Sequence, residues 1–178
     1  MSANLVSSGR FERVLVTGPQ RSGTRIAAKM IAQDIGYKYV DELDFGVHDR
    51  EAFERILEDT RIVVQCPTMC HAIHKYADDE TLVVLMVRDL DDIAASEERI
   101  GWEAGPYAEY HNYGMSDKQA IRHRRHGGRI AAIKYGHWRA RQRDLIEHYV
   151  ELEYESLAGH PLWIPKEQRI DFRHNQTA

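Results

Sequence analysis

The run from Val14 to Met30, "VLVTGPQRSGTRIAAKM", changes character twice. It begins as an apolar stretch of strand composition and passes through a short loop bounded by Gly18 and Gly23. It leaves with the spacing of a helix, Ile26, Ala27, Met30 and Ile31 falling on one face. A strand that feeds a helix through a glycine loop aims backbone N–H groups at whatever sits above the helix start, which suits an anion. The same alternation recurs along the chain. "RVLVTG" is followed by a helix from Ser22 to Ile35 that Gly36 ends, then by the strand "YKYV" and the amphipathic "DREAFERILED". "RIVVQC" and "TLVVLMVRD" are two further strands. "LDDIAASEERI" is a helix entered through Asp91 and Asp92, acids that suit a positive helix end. The expected fold is therefore α/β, a three-layer sandwich around a central, mainly parallel sheet with a P-loop-like phosphate-binding turn. Unbroken apolar runs such as Leu82 to Val87 mark strands covered on both faces, and ligands of such sheets sit at the carboxyl ends of the strands.

Beyond the fourth strand the pattern loosens. "GWEAGPYAEYHNYG", from Gly101 to Gly114, reads as an aromatic loop or lid. Ser116 to Val150 reads as long and helical with a break at Gly127-Gly128, "YVELEYESL" as a late strand, and the end of the chain as polar. With 178 residues, 43% of them hydrophobic, one domain spanning 1–178 is expected. A net charge of -4 exerts no general pull towards nucleic acid or acidic membranes, and neither is expected as a partner. The stretch "MSANLVSSGRFERV" has no apolar signal core, and no run approaches the ~20 apolar residues of a spanning helix. Cys66 and Cys70 are the only two cysteines and make no stapling framework, so a reducing cytoplasm is expected.

The glycine loop has the frame of a Walker P-loop, G-x-x-x-x-G-K-[ST], in Gly18 and Gly23. Thr24 and Arg25 stand where that motif has its lysine and its metal-binding hydroxyl. Arg25 cannot ligate a cation, so the expected ligand is an anion held without metal. Arg21 and Arg25 would supply charge, Ser22 and Thr24 hydroxyls, and the turn its backbone amides. The plain alternative is an ordinary strand-to-helix turn with surface arginines.

A second stretch favours the anion. In "VVLMVRDLDDIAASEERI", Arg88 ends an apolar strand and Ser96 follows eight residues later, in the next helix. "PQRSGT" with the later "VRDLDDIAAS" resembles the two nucleotide-binding motifs of the sulfotransferase family, which uses 3′-phosphoadenosine 5′-phosphosulfate. "LEYESL" is a weaker echo of that family's Y-E-D-L strand end. The three pieces run in the family's order from Val14 to Leu157. The resemblance implies that Arg21, Ser22, Gly23 and Thr24 hold the 5′-phosphosulfate, and Arg88 and Ser96 the 3′-phosphate. It places Arg21 at the family's catalytic basic residue, where it would stabilise the leaving phosphate. It also implies a co-substrate rather than a resident cofactor, and no metal. The chain departs from the pattern at Gln20, inserted between Pro19 and Arg21, at Arg25 in place of a threonine, and at Gln65, where the family often has a lysine. A late Gly-rich basic loop is missing, for which Arg124, Arg125 or Arg129 could substitute. The chain is short for the family, so its acceptor-side elements would be minimal or come from a second subunit of a homo-oligomer.

Activating a hydroxyl or amine acceptor, whether a small molecule or a carbohydrate, calls for a base. Glu42, just past the second strand in "YVDELDFG", is one candidate, with a solvated acid beside Asp41 and Asp44 as its plain alternative. His71 and His74 after the third strand are others. Cys66, Cys70, His71 and His74 could be read as a zinc set, but C-x₃-C is not a usual knuckle and packed thiols are the simpler expectation. The basic run "KQAIRHRRHGGRIAAIKYGHWRARQRD" reads as a solvated helical face, or as a rim that attracts an anionic ligand. Two other functions fit parts of the pattern: a P-loop small-molecule kinase, which would need a metal and a lysine, and a non-catalytic nucleotide-binding module.

Overall fold

The computed structural model describes residues 9–46, 49–89, 92–93, 95–96, 139 and 142–165. Within them the chain runs β1 (Arg13–Thr17), α1 (Thr24–Ile35), β2 (Lys38–Val40), α2 (Glu42–Phe45), α3 (Arg50–Ile56), β3 (Ile62–Gln65), a 3₁₀ segment (Pro67–Lys75), β4 (Thr81–Val87), β5 (Tyr149–Glu153) and a second 3₁₀ segment (Tyr154–Gly159). The expected lid at Gly101 to Gly114, the break at Gly127-Gly128 and Arg124, Arg125 and Arg129 lie outside the described residues.

The strands form one five-stranded sheet in the order β2-β3-β1-β4-β5, and every pairing is parallel. Alternation along each strand decides which layer it supports. Val14 and Val16 of β1, with Val84 and Met86 of β4, meet Ala27, Ala28, Met30 and Ile31 of α1 on one face. Leu15 and Val83 point the other way, onto Phe53 of α3 and Met69 and Ile73 of the first 3₁₀ segment. Each Val, Leu, Ile, Phe or Met side chain fully buried in these clusters contributes about 1.5–3 kcal/mol relative to exposure. Three layers follow, as the sequence pattern implies. No helix among the described residues is long and apolar enough to cross a membrane.

Two boundaries differ from the sequence expectation, each for a local reason. α1 starts at Thr24 rather than Ser22, because Arg21 (φ 65) and Gly23 (φ 96) are left-handed and cannot join a right-handed helix. The helical pattern before β5 ends at residue 145, not at Val150. Tyr149 and Val150 instead pair with Val83 and Val84, where β4 offers a free edge.

The strand order also locates a candidate crevice. The chain leaves β1 towards the β2 edge and leaves β4 towards the β5 edge, so the connections diverge between two adjacent strands. Ligands of open α/β sheets sit at that divergence, outside the carboxyl ends. Thr17 at the end of β1 pairs with Leu85, so β4 runs two residues further, to Val87, and delivers Arg88 beside the glycine loop.

Candidate functional site

The loop between β1 and α1 is shaped by what it must clear. Gly18 (φ 141) lies against β4, where an added Cβ would meet the Met86 carbonyl oxygen at 2.9 Å. Ser22 closes the turn by donating its hydroxyl to the Pro19 carbonyl at 2.6 Å, and its backbone N–H reaches the same oxygen. Gly23 occupies the N-cap position of α1, and among the described residues no side chain caps that helix. The first-turn amides of an uncapped helix carry its positive end, which favours an anion by about 0.3–1 kcal/mol per charge at an exposed site.

Three residues that the sequence places far apart meet here. Arg88 donates from Nη1 to the carbonyl of Arg21 at 2.8 Å, and Arg21 donates from Nε to the Ser96 hydroxyl at 3.2 Å. Ser96 is buried, and the Arg88 guanidinium lies over the Tyr154 ring, 4.2 Å from its centroid. The Arg88 Nε is buried without a hydrogen-bond partner among the described residues. A buried donor left unpaired costs about 1–3 kcal/mol, so this nitrogen is free to reward an anionic acceptor. The residues that carried the sulfotransferase resemblance thus form one basic cluster at the β1/β4 crevice.

Other expected binding side chains have partners inside the protein. The Thr24 hydroxyl is buried and accepts from Gln65 Nε2 at 3.2 Å. Arg25 forms a two-pronged ion pair with Asp41, Nε to Oδ2 at 2.8 Å and Nη2 to Oδ1 at 3.0 Å. Burial works against the Asp41 charge, but the Tyr39 hydroxyl at 2.6 Å, the Leu43 amide and Arg25 outweigh it and hold this carboxyl below its ordinary value. The backbone of the loop is thus held by side chains that are themselves anchored within the protein.

Beside the loop lies a second polar group. The Gln65 Oε1 accepts the Glu42 N–H at 3.2 Å, so one buried amide ties the end of β2 to the start of α1. Glu42 is half-buried rather than solvated, and its Oε2 is buried with no hydrogen-bond partner among the described residues. Burial pushes the Glu42 carboxyl above its ordinary value and the Asp41 charge adds to this, while Gln65 and Thr68 offset part of the shift. A carboxylate that is desolvated yet still titratable has the properties of a general base.

His71 lies on the 3₁₀ segment Pro67–Lys75, but its side chain is outside what the structure describes; His74 is half-buried. Cys66 and Cys70 are both buried thiols, and burial raises the Cys66 thiol well above its ordinary value, with Cys70 and Glu42 adding to it. Among the described residues no group of three or more His, Cys, Asp or Glu could hold a metal ion. Sequence reasoning missed Asp41 as the partner of Arg25, and Thr68 altogether. An acid directly after β2 was a usable signal for the first; nothing marked the second. No protein-family model matches the chain, and no curated protein matches it significantly.

Proposed function

We propose that the chain is a sulfotransferase that moves a sulfuryl group from 3′-phosphoadenosine 5′-phosphosulfate to a hydroxyl or amine. The observation that carries this reading is the meeting of Arg21, Arg88 and Ser96 at the crevice between β1 and β4. The donor set supports it further. Arg25 and Thr24, at the positions where a P-loop enzyme has its metal-binding hydroxyl and its lysine, are taken up by Asp41 and Gln65. The loop amides and Arg21 would hold the 5′-phosphosulfate, with Arg88 and Ser96 at the 3′-phosphate. In the reaction an acceptor lone pair forms the new bond to sulfur as the bond between sulfur and the 5′-phosphate oxygen breaks. The acceptor's proton passes to Glu42 and adenosine 3′,5′-bisphosphate leaves. Arg21 neutralises charge that grows on the departing phosphate, a task that fixed cations and amide dipoles perform without proton transfer.

The test is calorimetric. Adenosine 3′,5′-bisphosphate is expected to bind without added metal and more tightly than ATP, with or without Mg²⁺. A preference for ATP–Mg²⁺ would replace this reading with that of a small-molecule phosphotransferase. Tight bisphosphate binding without turnover on any panel of hydroxyl and amine acceptors would leave a nucleotide-binding module.

Arg88→Ala gives a sharper result. Losing a charged hydrogen bond in a partly buried site costs about 1.5–3 kcal/mol, roughly 10- to 150-fold in affinity. The bisphosphate is expected to lose that much. Adenosine 5′-phosphosulfate, which lacks the 3′-phosphate, should lose less, and only through the Arg21 carbonyl that Arg88 supports. Equal losses on both ligands would make Arg88 a support alone.

A further inference from the structure

We infer that Tyr154 is a positioning residue for the phosphate loop, its ring setting both the height of Gly23 and the plane of the Arg88 guanidinium. The ring sits directly against the loop: a Cβ at Gly23 would lie 2.4 Å from Tyr154 Cδ2 and 2.7 Å from Cε2. On the same ring rests the Arg88 guanidinium, 4.2 Å from the centroid. From that position Arg88 Nη1 reaches the Arg21 carbonyl at 2.8 Å and braces a residue whose φ of 65 is unusual for a side chain of its size. Trp163 packs against Tyr154, ring centroids 5.1 Å apart, so the wall is itself supported. Tyr154 is only 5% exposed and follows immediately on β5, whose pairing with β4 fixes it relative to Arg88.

A residue that merely fills the core would need bulk at this point. A brace needs a flat face, because a guanidinium stacks on a ring through the ring's quadrupole and finds no such surface on an aliphatic chain. Two substitutions separate these roles: Tyr154→Phe keeps the face, and Tyr154→Leu keeps much of the apolar bulk without it. The inference rests on the loop being the anion site, but not on which group is transferred.

The experiment compares wild type, Tyr154→Phe and Tyr154→Leu in the full chain. Amide hydrogen exchange is measured at residues 20–25 and, as a core reference, at 62–65. Affinities are measured for adenosine 3′,5′-bisphosphate and for inorganic pyrophosphate. In Tyr154→Leu the loop amides are expected to exchange about tenfold faster while the reference amides do not change, and both probes to bind about tenfold more weakly. Tyr154→Phe, which keeps the ring face, should stay close to wild type in loop exchange and clearly above Tyr154→Leu in affinity for both probes. Loop exchange unchanged in Tyr154→Leu, or a Phe variant as impaired as the Leu variant, would overturn the inference. Faster loop exchange with neither probe bound by any form would uphold the brace and remove the anion-site reading instead. If the reference amides of Tyr154→Leu also lose protection, Arg88→Lys takes its place. It keeps the charge but loses the planar fork, so loop exchange must still rise, and an unchanged loop would overturn the inference.

Discussion

Gly23→Ala is expected to destabilise the protein by about 2–6 kcal/mol and to abolish tight binding of adenosine 3′,5′-bisphosphate. Two costs add. At φ 96 a residue with a Cβ is strained, by about 1–3 kcal/mol. The new methyl would also stand 2.4 Å from Tyr154 Cδ2, and relieving that overlap by moving a buried ring costs about 1–3 kcal/mol more. Gly36→Ala is the natural control. Gly36 is also left-handed, at φ 69, but nothing lies within 4 Å of the position its Cβ would take. It should show strain without collision. Chemical denaturation of the two variants therefore isolates the contact with Tyr154, and Gly23→Ala proving no costlier than Gly36→Ala would show that the ring yields freely.

The second large effect is on turnover. Glu42→Gln is expected to leave bisphosphate affinity unchanged and to cut the release of bisphosphate in the presence of an acceptor by roughly 10²–10⁴-fold, the usual contribution of a positioned base. The pH dependence follows from the direction of the shift. Because burial raises the Glu42 carboxyl above its ordinary value, the acid limb of the rate profile should be displaced upwards from the normal carboxylate range, with activity gained as the group ionises. Stability runs the other way. A carboxyl whose folded value is raised binds its proton more tightly in the folded state. Folding therefore becomes less favourable as pH rises from the ordinary value through the raised one, a slope that Glu42→Gln should remove. Wild-type turnover in Glu42→Gln would eliminate this residue and leave His71 or His74 as the base.

The strand and helix pattern was legible because it rests on periodicity. Val14 to Thr17 and Thr81 to Met86 bury every residue, and an unbroken apolar run announces that directly. The glycine loop was legible for a similar reason, since few residues other than glycine accept the φ values of Gly18 and Gly23. The side-chain partners were not. That Gln65 bridges Thr24 and Glu42 depends on the register Val40↔Val64, which sets the ends of β2 and β3 side by side. Nothing local to "VVQCP" encodes that neighbour. In the same way the ion pair of Arg25 with Asp41 depends on the end of β2 lying beside the start of α1, which nothing local to Arg25 encodes. For Glu42 the sequence left a base and a solvated acid open, because acids surround it; its burial, and the Gln65 and Thr68 groups that partly offset the effect of that burial, come from tertiary neighbours.

The place of β5 in the sheet governs the order in which this site can come into being. Thr81 to Val87 can join β1 as soon as both have been synthesised, and with β2 and β3 they make a four-stranded platform that already carries the glycine loop. The strand that completes the sheet arrives only after the whole of residues 88–148, and Tyr154 only after that. Contacts between such distant parts of a chain must overcome the entropy of closing a long loop before they return any stabilisation, and they form late. The nascent chain therefore holds its glycine loop before it holds the aromatic wall behind it, and the contact of Arg88 with Tyr154 is among the last that the fold acquires.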